Sequence, residues 1–419
     1  MRRKRKRQLI IISLVLLIGI SSLMLLKKGK EAIIVEQSQV EAVEALTLED
    51  KLHDFEYIYS FVENNYPLLK VNERVNGVNW LGEKENFIKA IESTDSDEMF
   101  MDELGKILEK LNDADNNVVE MHFYKNYYAG TVNKEGDKIS PWSDVITQEN
   151  TMKRYRFDES QLKLVTNSNQ HVEKTSKSSY FSQDIIVPNE VAYLKIHSMD
   201  PDNLEEDGHL IREFFKEVKD YKKLIIDVRA TSYWVGDTDD YWIKNIVEPL
   251  TNKEISVDNY ILGRGGYGKT FHEYKGMKFS PIEELANGEI SAELQADFDY
   301  YSIANRTISP VEAVGFTGEI YVLINNKTLV LAENFAAFCK DSGFATLVGE
   351  TTSGINWPFD TVIFSLPKSG ILVNMRNLIG LNKDGSIREE VNIRPDIEVT
   401  AAIGSTYERD SAIQYIINN

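Results

Sequence analysis

Residues Glu319 to Gly354 read EIYVLINNKTLVLAENFAAFCKDSGFATLVGETTSG, and the fold turns on this stretch. An apolar run over 320–324 passes through Asn325, Asn326, Lys327 and Thr328 into a helical pattern, and a second apolar run over 345–348 precedes Gly349. Strand, turn, helix and strand in that order form the βαβ unit of an α/β sheet. In such a unit the turn entering the helix lies at the carboxyl edge of the sheet, where ligands and nucleophiles are held. Thr328, Leu329, Val330, Leu331 and Ala332 fill that turn, and only Thr328 has a reactive side chain.

Working outward, 419 residues with 42% hydrophobic and 27% charged content describe a globular chain of two or three folded parts. The formal charge of -19 hides an asymmetry. Residues 1–30 carry nine Lys/Arg and no acid, which leaves 38 basic against 66 acidic residues, or -28, on the remainder. So acidic a body argues against nucleic acid as a partner, because phosphate binding needs clustered Lys and Arg. The lone Cys339 rules out an internal disulfide, and its place in a helical pattern reads as a small buried hydrophobe.

At the amino terminus a basic leader, 1–7, precedes an apolar segment, 8–26, broken only by small or hydroxyl residues such as Ser13, Gly19, Ser21 and Ser22. This length just crosses a bilayer, and the leader predicts a cytoplasmic N-terminus with the body extracytoplasmic, a single-pass cell-membrane protein. A cleaved signal peptide is the competing reading, and the absence of an Ala-x-Ala site or lipidation Cys favours the anchor. A polar linker follows over 27–46. Thr47 and Asp50 suit a capping box, and apolar residues at three- and four-residue spacing predict a small helical domain over 47–120. Residues 121–189 show no long periodicity and read as an irregular or β-rich insertion. From 190 the α/β pattern runs to 404, with strands over 191–196 and 224–228 around a helix over 204–218, and a strand pair about Pro367, Lys368, Ser369 and Gly370. A C-terminal segment covers 405–419.

The stretch resembles the core of the tail-specific, or C-terminal-processing, serine peptidases, the family that includes the tricorn core. There a Ser nucleophile stands three residues before a Glu, a helix follows, and a strand ends in Gly-Glu-x-Thr-x-Gly; Glu333, Gly349, Glu350, Thr352 and Gly354 fit. The resemblance implies a ClpP/crotonase-like βαβ core, and it covers about 47–120 and 190–400. It puts the nucleophile on Val330. It puts the base of the tricorn-like branch on Asp115, within Leu111-Asn112-Asp113-Ala114-Asp115, and the Lys base of another branch on Ile355. Asp227 and Arg229 match an Ile-Ile-Asp-x-Arg motif, but the glycine loop that supplies oxyanion donors is Ala230-Thr231-Ser232-Tyr233-Trp234 here. A supporting Glu would fall on Glu389 or Glu390.

Acyl transfer needs a hydroxyl, a base and oxyanion donors, and Val330 and Leu331 offer no oxygen. Ser353, Thr328 and His53, His122, His171, His197, His209 and His272 have no partner at motif spacing. No His-Glu-x-x-His or paired-Cys motif invites a metal, and no cofactor is expected. Gly263 and Gly268 meet phosphate-loop spacing before Lys269 and Thr270, but 271–274 do not open an apolar helix, so no nucleotide is expected. The leading expectation is a catalytically degenerate member that binds an exported peptide or protein in a remnant cleft formed by Asp115, Ala230, Thr231, Val330, Leu331, Ser353 and Gly354. An active serine endopeptidase with relocated residues is the alternative, and a structural membrane-associated partner of another protein is the third.

Overall fold

A computed structural model describes residues 44–131, 140–157, 180–231, 239–285, 290–354, 361–400 and 406–419. The leader, the apolar segment and most of the linker lie outside the described residues; among those described, no helix is long and apolar enough to cross a membrane. Four helices come first: α1 (Leu48–Asn65), α2 (Leu69–Asn76), α3 (Lys84–Glu92) and α4 (Asp97–Glu109). The expected capping box forms, with the Thr47 hydroxyl accepting from the Asp50 N–H at 3.1 Å and the Asp50 carboxylate accepting from the Thr47 N–H at 3.1 Å. Two backbone donors at the helix start are thereby satisfied.

A six-stranded sheet carries the α/β part, in the order β13-β9-β8-β4-β3-β2. Its strands are β2 (Phe181–Val187), β3 (Val191–Ile196), β4 (Lys223–Asp227), β8 (Glu319–Ile324), β9 (Thr346–Gly349) and β13 (Ile397–Glu398). All neighbours are parallel except β2, which runs antiparallel on β3. A second, antiparallel sheet, β12-β5-β7-β6, joins β5 (Ile255–Gly263), β6 (Ser280–Pro281), β7 (Tyr300–Ile308) and β12 (Leu378–Gly380). The third, β1-β11-β10, is built on the expected hairpin, with β10 (Val362–Ser365) against β11 (Leu372–Met375) and β1 (Asn117–Val118) on its outer side.

Parallel strands are buried on both faces, which is why β3, β4 and β8 read as apolar runs. One face packs under α6 (Leu204–Glu217) and α8 (Leu331–Ser342), with Phe214, Phe215, Trp242 and Phe335 in the core. The other packs on the last helix, α10 (Ser411–Asn418), through Ile413 and Ile416. The N-terminal helices do not close a core of their own. Phe55, Phe61 and Phe87 share one apolar cluster with Tyr124, Trp142, Phe271, Phe364 and Val373, so packing runs without a break across the boundary drawn at residue 120.

Two local expectations need correction. Among the described residues of the 121–189 segment, Tyr124–Thr131 (α5), Ser143–Ile146 and Glu149–Arg154 are helical, and only β2 is strand. Tyr124, Tyr128 and Phe157 bury their rings together there, so short helices are held by packing and not by periodicity. Residues 267–274 also form a helix, α7 (Tyr267–Tyr274), directly after β5. The glycine loop between them nonetheless gives its Gly265 N–H to the Asp299 carboxylate at 2.7 Å, the group a phosphate would have to displace.

Arg229 locks the end of β4 to the C-terminal helix. Its guanidinium reaches Asp227 at 2.8 Å and Asp410 at 2.8 Å, all three side chains being at most 4% exposed. Asp410 in turn caps α10 by accepting from the N–H groups of Ala412 and Ile413. Removing only the cation leaves two buried, unpaired carboxylates. Arg229→Met is therefore expected to cost about 3–5 kcal/mol in urea unfolding, and a loss below about 1 kcal/mol, as at an exposed pair, would contradict the lock.

Candidate functional site

The carboxyl edge of the parallel sheet gathers the ends of β3, β4, β8 and β9. After β8 the chain turns at once, with the Asn325 N–H donating to the Thr328 hydroxyl at 3.1 Å and the Thr328 N–H donating to the Asn325 carbonyl at 2.9 Å. Thr328 is fully buried, so this hydroxyl is a turn-forming group and not a displaced nucleophile. Val330 then begins α8 with φ +48° and ψ -114°. A β-branched residue pays steeply for positive φ, and sharp strand-to-helix turns of this kind are where α/β enzymes hold a nucleophile. Here the turn presents two methyl groups. Leu331, beside it, is buried in the core under the sheet.

What holds so strained a turn is a set of bonds around the first turn of α8. Glu333 is fully buried and accepts from the Thr352 hydroxyl, which itself accepts from the Ile393 N–H at 3.0 Å. Asn334 donates to Asp239 at 3.2 Å, and Asp239 also receives the Trp242 indole N–H at 2.9 Å and pairs with Arg306 at 2.5 Å. Two glycines complete the frame. A Cβ on Gly349, at φ +129°, would lie 2.2 Å from the Ile324 carbonyl oxygen, and one on Gly354, at φ +80°, would lie 2.0 Å from the Asn392 side-chain oxygen. Glu333, Gly349, Thr352 and Gly354 are thus joints of the scaffold.

The remaining residues picked out in the sequence fall as follows. Ala230 leaves β4 in the left-handed region at φ +62° and is exposed, while Thr231 is buried and donates to the Ile196 carbonyl at 2.8 Å. Ser353 is exposed beside Gly354, and among the described residues no hydrogen bond joins it to a His or Lys. Ile355, Ser232, Tyr233, Trp234 and His171 lie outside the described residues. Of the other histidines, His272 is buried against Asn377 at 3.3 Å, and His122 faces Glu120 at 3.3 Å. His197 and Ser182, which no motif linked, do meet at 3.1 Å. Burial, then the Lys195 charge, push the His197 pKa down. Both side chains are exposed, Ser182 on the outer strand β2 and His197 just past β3, and among the described residues no carboxylate hydrogen-bonds the His197 ring, so the pair lacks the third member of a triad.

Asp115, where the resemblance puts a base, is tied into an ion cluster. Arg376, 8% exposed, bonds to it, to Asp113 at 2.8 Å and to Glu389 at 3.5 Å, while the Tyr66 hydroxyl donates to Asp113 at 3.3 Å. Glu389 lies on the short helix α9 (Arg388–Val391), whose neighbour Glu390 pairs instead with Arg74 at 2.7 Å. Burial raises the Glu389 and Asp115 pKa values against the pull of Arg376. Burial also opposes the Arg376 charge, and Asp113, Glu389 and Asp115 together outweigh it, raising its pKa. Sequence reasoning missed this network. Arg376 follows a strand with nothing to mark it, and its partners lie far off in the chain.

The sequence profile of peptidase family S41 matches residues 190–399, half of the chain. The chain belongs to peptidase family S41. Solved structures agree on the fold. A candidate peptidase from Parabacteroides merdae superposes with a TM-score of 0.55 at 16% identity, over 88% of this chain and 96% of that one. Mature CPAF in complex with lactacystin superposes with a TM-score of 0.51 at 13% identity, over 86% and 94% respectively. No curated protein matches the sequence. The α/β fold of S41 peptidases, with its N-terminal helical region, is therefore the fold of this chain.

If the elbow at Val330 is as strained as its dihedrals state, glycine should be preferred there over alanine. Left-handed backbone costs an L-residue about 1–2 kcal/mol, so Val330→Gly should be roughly 1 kcal/mol more stable than Val330→Ala in chemical denaturation. The opposite order, normal for unstrained positions, would show that the turn has ordinary geometry.

Proposed function

We propose that this S41 member is a membrane-tethered, extracytoplasmic protein that has lost peptide-bond hydrolysis and holds an exported peptide or protein in the remnant of the cleft. One observation carries the reading: an elbow of nucleophile geometry, kept at the expense of strain, bears a valine. Loss of a nucleophile alone costs on the order of 10⁶ in rate. The base position adds to this, because Asp115 is tied to Arg376 and among the described residues no hydroxyl hydrogen-bonds to it. Backbone strain of about 1–3 kcal/mol persists only where the surroundings over-determine it, and holding an extended peptide through main-chain hydrogen bonds needs no nucleophile.

The tether rests on the basic leader and the apolar segment 8–26, which together suit a single crossing with the body outside. The acidic body disfavours nucleic acid. Neither a metal nor a cofactor is needed for peptide capture.

Binding is testable by fluorescence anisotropy, titrating the full-length protein into a pool of labelled random peptides. Saturable binding is expected, and Ser353→Trp, which crowds the exposed turn beside Gly354 without breaking a bond, should weaken it at least about tenfold through steric exclusion. Unchanged affinity in that variant would place the ligand elsewhere, and absence of any saturable binding would favour the purely structural role.

A further inference from the structure

One stretch of the antiparallel sheet has no strand beside it among the described residues. β7 pairs along its whole length with β5, but on its other side β6 covers only Tyr300 and Tyr301. Two bonds at the ends of the ladders fix where each main-chain group points. The Leu381 N–H donates to the Tyr260 carbonyl at 2.9 Å, so Tyr260 faces the β12 side of β5 and Ile261 faces β7. Successive residues of an antiparallel strand alternate in direction, and Ile261 stands opposite Ser302. Ser302, Ala304 and Arg306 therefore face β5, while Ile303, Asn305 and Thr307 face away. The Ile282 N–H, donating to the Asp299 carbonyl at 3.1 Å on the β6 side, gives the same parity. Each of the three outward residues offers one N–H and one carbonyl, and among the described residues none of these groups is hydrogen-bonded.

Open edges are normally guarded by lysine, proline or a bulge. Residues 303–307 contain neither lysine nor proline, and the β5–β7 register runs without a shift. Arg306, their one charge, turns to the inner face, where it pairs with Asp239 and lies 5.2 Å from the Trp242 ring centre. The outward side chains are exposed but ordered. Asn305 donates to Asp258 at 2.7 Å and to Ser256 at 2.9 Å, and the Thr307 hydroxyl donates to the Asn305 side-chain oxygen at 2.8 Å. Ile303, 45% exposed, adds an apolar contact beside them. The edge is thus straight, fixed and unguarded, which lowers the ordering cost of adding a strand.

We propose that this edge of β7 takes a segment of another protein as an added strand, one that is extended and either uncharged or basic. The site goes beyond the cleft reading, since it needs neither Val330 nor the frame around it. Main-chain bonds to residues 303, 305 and 307 supply the affinity, and alternate side chains supply the selectivity. Charge decides the occupant. The exposed face formed by Ser256, Asp258, Ile303, Asn305 and Thr307 carries a single charge, the Asp258 carboxylate. A second copy of the chain, with 66 acidic against 47 basic residues, would set acid against acid. A basic or neutral strand meets no such repulsion.

The test titrates the full-length protein into a fluorescent peptide of alternating valine and threonine flanked by lysines, followed by anisotropy and by hydrogen–deuterium exchange. Saturable binding is expected, with amide exchange slowed over 303–307, and glutamates in place of the lysines should weaken it. N-methylation of the peptide at alternate residues on its pairing edge should weaken binding at least about tenfold, because it deletes main-chain donors. Ile303→Pro removes an outward N–H without touching the β5 ladder and should cost about tenfold as well. Ile303→Ala keeps that N–H and should cost less, both variants showing native circular dichroism. Equal losses in the two variants, or no loss on N-methylation, would assign binding to side chains and overturn the proposal. Protection confined to other segments, or no saturable binding, would overturn it too. Self-association of the protein abolished by Ile303→Pro would give the edge to a second copy and refute the proposed occupant.

Discussion

A β-branched residue held at positive φ is the constraint on which the rest of this structure depends. Val330 cannot relax toward an ordinary helix start, because both flanks are pinned. On one side, Thr328 closes a turn against Asn325 directly off β8. On the other, Glu333 and Asn334 fix the first turn of α8 to Thr352 and Asp239. The helix beyond is almost wholly buried from Leu331 to Cys339. Each large apolar side chain in it contributes about 1.5–3 kcal/mol by leaving water, which readily offsets the strain of one backbone residue. The turn is carried by the packing of the helix behind it.

This division separates residues that hold the scaffold from positions that carry chemistry in the proposed reading. Residues that look catalytic by position prove to be joints. Thr352 bridges Glu333 to the 392–393 segment, Gly349 and Gly354 allow close approach that any side chain would block, and Arg229 ties two carboxylates at the sheet's end. None of these can change without cost to stability. On the proposed reading, a hydroxyl at 330 or a histidine at 115 carried no such structural duty, and its replacement leaves the fold intact.

How much was legible in the sequence follows the range of the interactions. The βαβ unit around Val330, the capping box at Thr47 and the hairpin at 362–375 are local patterns, and each forms as its spacing requires. The short helices between 124 and 154 escaped notice because eight residues or fewer give little periodicity, and aromatic packing holds them. Helix α7 escaped for the same reason. The Arg376 network joins residues 113, 115, 376 and 389, and the Ser182–His197 contact crosses between strands. No spacing rule reaches such pairs. At the candidate site the local pattern placed Val330 at the entry to the helix, where the elbow forms, but gave no sign that Asp115 belongs to a half-buried ion cluster around Arg376.

Whether the frame still cleaves anything is decided most directly by exposing the full-length protein to a fluorophosphonate that reacts with activated serines and following incorporation by intact-mass spectrometry. The account predicts no incorporation, because Val330 stands on the elbow and neither Ser353 nor Ser182 has a complete set of partners. Stoichiometric labelling of a single serine, abolished when that serine is replaced by alanine, would contradict it.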